Sequence, residues 1–116
     1  MINYEDIKKA NEEIITTSIK GNEYAEVNQR ITAFKKVFPE GFIIPEMESN
    51  INGVCIFKAK VGYYKDNEML VLGIRHAYEK EGSSFINKTS YIENCETSAV
   101  GRALAMAGFG IDKSVA

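Results

Sequence analysis

The chain has 116 residues, 45% hydrophobic and 26% charged, which is the size and balance of one folded domain with a real core. No apolar run approaches the length of a membrane span, and two cysteines with one histidine make no zinc pattern, so neither a metal nor a cofactor is expected. A formal net charge of −2 excludes a general attraction to nucleic acid; residues 1–50 hold six basic and nine acidic side chains and residues 51–116 eight and seven, so any basic surface has to be local. The N-terminus lacks a basic-then-apolar signal pattern, and the expected compartment is the cytoplasm.

The first predicted element is an amphipathic helix within 2–18, with Tyr4, Ile7, Ala10 or Asn11, and Ile14 on one face. Thr16, Thr17 and Ser18 then favour extended backbone, Gly21-Asn22 marks a turn, and 23–27 suits a short strand. A second helix is predicted from Asn28, with Ile31, Phe34 and Phe38 facing the core, Arg30, Lys35 and Lys36 off that face, and Pro39 ending it. Phe42 opens a strand in which Pro45 suggests an edge position or an irregularity. Asn52-Gly53 is the strongest two-residue hairpin signal in the chain.

Residues 54–64 alternate: Cys55, Phe57, Ala59, Val61 and Tyr63 point one way and Val54, Ile56, Lys58, Lys60 and Tyr64 the other. Lys65-Asp66-Asn67 is a turn, and 68–78 returns as a third strand, with Leu70, Leu72 and Ile74 opposite Val71, Gly73 and Arg75. A polar loop at 79–84 precedes the last helix. Ser90 and Glu93 have the spacing of a capping box, Ile92, Ala99, Ala103 and Met106 mark a buried face, and Gly108 and Gly110 end the helix. Thr97, Gly101, Ala105 and Gly108 form a stripe almost without side-chain bulk, which calls for a close neighbour and suits self-association. The whole reads as one α+β domain over 1–116. It is a three-stranded antiparallel β-meander followed by a long C-terminal helix (a β-β-β-α core), with N-terminal helices packed on the sheet.

Cys55 and Cys95 fall among apolar neighbours and are expected to be reduced and buried. His76 stands alone, and no P-loop, dinucleotide fingerprint or nucleophile elbow occurs, so no enzyme is expected. The residues do suit single-strand binding, which takes basic groups for phosphates and aromatic faces for bases. Lys58, Lys60, Lys65, Arg75 and Arg102 supply the first; Tyr24, Tyr63, Tyr64 and Tyr78 the second. Arg102 is the sole basic residue between Tyr91 and Asp112, with Asn94 and Ser98 rather than a Glu at helical spacing before it.

The order of segments Glu23 to Ile31, Phe38-Pro-Glu-Gly-Phe42, Gly53 to Phe57, Lys65-Asp66, Val71-Leu-Gly73, Glu79-Lys-Glu-Gly82 and Glu96 to Leu104, ending in Gly108-Phe-Gly110, resembles the single-strand annealing superfamily. That superfamily includes the Erf-type phage recombination proteins and the eukaryotic Rad-family annealing protein, and the resemblance spans roughly residues 20–112. It implies a phage-like DNA recombination protein of the cytoplasm that oligomerises in rings or filaments and anneals single-stranded DNA without ATP. A host single-strand-binding protein is then a further candidate partner. It also implies a DNA-contacting aromatic at Tyr24, a basic residue at the hairpin turn in Lys65, and a basic residue of the long helix in Arg102. The alternative is a non-enzymatic interaction or sequestering protein of the same fold, binding a small nucleotide signal or a host protein.

Overall fold

Asn52 and Gly53 both take positive φ, 54° and 77°, the backbone of the two-residue hairpin turn whose twist matches that of the strands it joins. The computed structural model describes residues 2–111 and the backbone of 114–115. This turn joins β3 (Phe42–Ile51) to β4 (Val54–Lys65), and the turn at Asp66-Asn67 joins β4 to β5 (Glu68–Lys80). The result is an antiparallel meander in the order β3-β4-β5. Both edges are irregular: β3 carries Pro45 and a register shift between Met47 and Ser49, and the β4–β5 register shifts between Val61 and Gly62. Such devices keep an edge strand from pairing with another chain.

Three helices lie outside the sheet: α1 (Tyr4–Glu12), α2 (Val27–Val37) and α3 (Tyr91–Met106). α3 lies across β4 and β5, and two small residues of β5 let it come close. A Cβ on Gly73 would run into the Ala103 carbonyl, and Ala77 is buried. The bulk-free stripe is filled from within the chain: a Cβ on Gly101 would lie 2.7 Å from Val27 Cγ2 of α2, and one on Gly108 would be 3.7 Å from Ile7 of α1. α2 reaches the sheet through Phe38, which stacks on Tyr63 at 5.0 Å, while Phe34 meets the edge of Phe109 at 5.4 Å. A hairpin of β1 (Thr17–Ile19) and β2 (Asn22–Ala25), joined in parallel by β6 (Ser114–Val115), makes a second small sheet.

The expected α+β class, meander and C-terminal helix are all present. Four details differ. Arg30 is wholly buried and not off the core face: its Nε donates to the Ala25 carbonyl at 3.1 Å, and its Nη1 to those of Phe109 (2.8 Å) and Gly110 (3.1 Å). The guanidinium thus ties the start of α2 to the turn after α3. Ser90 makes no side-chain cap bond, because its backbone (φ −134°, ψ 31°) is not the extended one a capping box uses. Met106 is exposed, and the buried face of α3 runs instead through Cys95, Ala99, Val100, Ala103 and Leu104. The register shift in the meander turns Gly73 and Ala77 to the helices and leaves Ile74 outside.

Candidate nucleic-acid interface

Because the three helices occupy one side of the meander, its other face has no layer over it among the described residues. Strand alternation decides what stands there. On β4 the buried Cys55, Phe57, Ala59 and Val61 face the helices, so Val54, Ile56, Lys58 and Lys60 face out. Register adds Glu46 and His76 beside Lys58, Ile44 and Ile74 beside Lys60, and Tyr78 beside Ile56. Tyr78 is 71% exposed, the most open aromatic of this face.

Carboxylates share this face. His76 Nε2 is 2.8 Å from Glu48 Oε1 and Lys60 Nζ 4.0 Å from Glu46 Oε1, so the β3 side carries the carboxylates of this face. Lys58 has no such partner among the described residues within the same limits. The cationic and aromatic side chains of this face therefore run along β4 and β5, from Lys80 and Tyr78 past Lys58 to Tyr64. Elsewhere Lys36 is engaged by Glu13 at 2.6 Å, and that hydrogen bond holds the Glu13 carboxyl below its ordinary range.

The six expected contact residues do not form one patch. Lys58 and Lys60 share the open face. Lys65 ends β4 in register with Glu68, Arg75 pairs with Ala59 on the helix-facing register, and Tyr24 belongs to the second sheet. Arg102 is not unpaired: its Nη1 donates to the His76 carbonyl at 3.2 Å, so the guanidinium is tied to the backbone of edge strand β5. Tyr63, stacked on Phe38, is withdrawn from any base.

Sequence reasoning placed a polar loop at 79–84 but missed the ordered turn that continues it to α3. Asn87, buried, is its centre: its side-chain nitrogen donates to Glu79 Oε2 (2.7 Å) and Ser83 Oγ (2.9 Å), and its oxygen accepts from Asn94 Nδ2 (3.0 Å). The loop so fixed leaves Phe85 89% exposed. The Phe85-Ile86 pair after a polar run was the available signal. Both thiols are buried, as expected; Cys95 donates to the Cys55 carbonyl at 3.2 Å, and burial, then the neighbouring Cys55, pushes its pKa up to about 11. No group of three or more His, Cys, Asp or Glu among the described residues could hold a metal ion. A cleft of about 590 Å³ beside α1 is lined by Ile7, Ile14 and Ile111 with Lys8 and Glu12 of opposite charge, a poor setting for a nucleotide's phosphates. Among the described residues no helix is long and apolar enough to cross a membrane.

The family described as Slr1353 N-terminal dsRNA-binding domain-like matches residues 31–107, more than half of the chain. This overturns the expected membership of the single-strand annealing superfamily: the segments that carried that resemblance lie largely inside a stretch that matches another family. No curated protein and no solved structure matches the chain.

Proposed function

Since the chain belongs to the Slr1353 N-terminal dsRNA-binding domain-like family, we propose that it binds nucleic acid without catalysis and that its ligand is double-stranded RNA. The observation that carries this reading is the extent of the match, which takes in most of α2, the entire β3-β4-β5 meander and α3. Duplex RNA is recognised mainly by shape and by contacts to phosphates and 2′-hydroxyls, over a span of ~16 base pairs. A rigid layered surface with a local set of lysines can make such contacts although the net charge is −2. Lys58, Lys65, Lys80 and Lys88 are the cations we assign to phosphates, and no metal or cofactor is required.

Annealing of single-stranded DNA by an oligomer is the competing proposal, supported by the same lysines with Tyr64 and Tyr78 beside them. The test is a titration of an RNA duplex at two salt concentrations with wild type and Lys58→Glu. Phosphate contacts release counterions, so binding should weaken with salt, and loss of one contact should flatten the log–log slope by ~1. A salt-independent affinity, or the same slope in both proteins, would contradict the assignment of Lys58.

A further inference from the structure

Phe85 and the neighbouring Ile86 interrupt a polar loop, 89% and 53% exposed, and Phe85 is the one that stands fully clear. A mobile tip would make that unremarkable, since single exposed apolar residues are common. This tip is built. Ser83 N donates to the Lys80 carbonyl at 3.1 Å and Ser83 Oγ to the same oxygen at 2.7 Å. Gly82 N donates to the Asn87 carbonyl at 2.8 Å, and Asn87 N to Ser84 Oγ at 3.3 Å. A single 3-10 turn, Ile86–Lys88, follows directly and is anchored by the buried Asn87 side chain. The ring is thus held out by hydrogen bonds on both sides of it in sequence.

Its surroundings distinguish a base from a protein partner. Lys88 Nζ lies over the Phe85 ring, 5.9 Å from the centroid, and Lys80 ends β5 where the loop begins. Lysine is depleted at protein–protein interfaces, whereas an aromatic ring with an ammonium group over it is the common equipment for a stacked base and its phosphate. Of the nearby acids, Glu79 is engaged with Asn87, and Glu81 lies against the turn at Gly53. A fully paired duplex keeps its base faces stacked and offers Phe85 nothing, but an unpaired nucleotide exposes one.

We propose that Phe85 stacks on an unpaired nucleobase at an interruption in the duplex, so that the ligand class is RNA duplex carrying a bulged or flipped-out nucleotide. The inference rests on the duplex-binding reading and sharpens it. The chain contains no tryptophan, so Phe85→Trp gives a single indole emission at this position. The experiment titrates wild type, Phe85→Trp and Phe85→Ala with two RNA duplexes of equal length, one fully paired and one with a central single-nucleotide bulge. Wild type should prefer the bulged duplex by roughly tenfold, as stacking of one base on an aromatic side chain provides. Phe85→Ala should lose that preference while binding the paired duplex as wild type does, and the indole emission should be quenched by the bulged duplex alone. Equal affinity of wild type for both duplexes, or an unquenched indole at saturation, would overturn the stacking role and leave duplex binding standing. A concentration-dependent blue shift without RNA would show the ring buried by a second copy and would also overturn it. Failure of wild type to bind either duplex at low salt would remove the duplex reading and this one together.

Discussion

Arg30 shows how far a single side chain can depart from the pattern around it. Its place on the α2 helix put it beside Lys35 and Lys36, yet it is inside, with its donors spread over carbonyls from two distant segments. Arg30→Met would keep the bulk and leave buried acceptors without donors, each costing about 1–3 kcal/mol, so a loss of ~3 kcal/mol or more is expected in urea unfolding. A near-native midpoint would show that those carbonyls find other donors. Cys95 gives a prediction in pH. Its folded pKa, about 11, is raised above the ordinary 9.0, so the folded chain keeps the proton that the unfolded chain releases. Its contribution to stability is whole below pH 9 and is lost as pH rises toward about 11. Cys95→Ala should flatten that part of the stability profile, and an unchanged alkaline slope would contradict the assignment.

At the scale of elements, the meander was legible because it has a period of two and unambiguous turns: Asn52-Gly53 and Asp66-Asn67 fall where the sequence asks for them. The start of α3 at Tyr91 was legible too. What could not be read is what the bulk-free stripe of α3 faces, because spacing alone does not say whether the close neighbour belongs to the same chain. The neighbours are Val27 and Ile7 of this chain, which removes that stripe as an argument for self-association. The register shift at Val61 was signalled only by Gly62 and Gly73, one glycine on each strand, which mark an irregularity without saying which strand gains the residue. The two glycines under α3 and within it should respond differently. Gly73→Ala drives a Cβ into backbone and should cost ~1–3 kcal/mol. Gly101→Ala meets only the end of the Val27 side chain and gains up to ~1 kcal/mol of helix propensity, so it should be close to neutral. Chemical denaturation of the two variants checks the contrast, and equal losses would put the helix–sheet contact elsewhere.

The whole molecule is a flat slab, 44 × 39 × 16 Å, with helices on one side of a meander and an open mixed face on the other. The candidate contact residues were found in the sequence as residue types, but not as a site: the fold brings Lys58 and Lys60 together, ties Arg102 to the edge of β5, and puts Tyr24 in another sheet. Composition also could not separate a duplex ligand from a single-stranded one, because both need cations; the family match over 31–107 favours the duplex. Direct competition tests that claim most plainly. A labelled RNA duplex of ~16 base pairs, bound to the full chain at low salt, is challenged with unlabelled RNA duplex, DNA duplex and single-stranded DNA of the same length. The account predicts displacement by RNA duplex at the lowest concentration, because the 2′-hydroxyls and A-form shape are part of what is recognised. Displacement by single-stranded DNA at equal or lower concentration would contradict it.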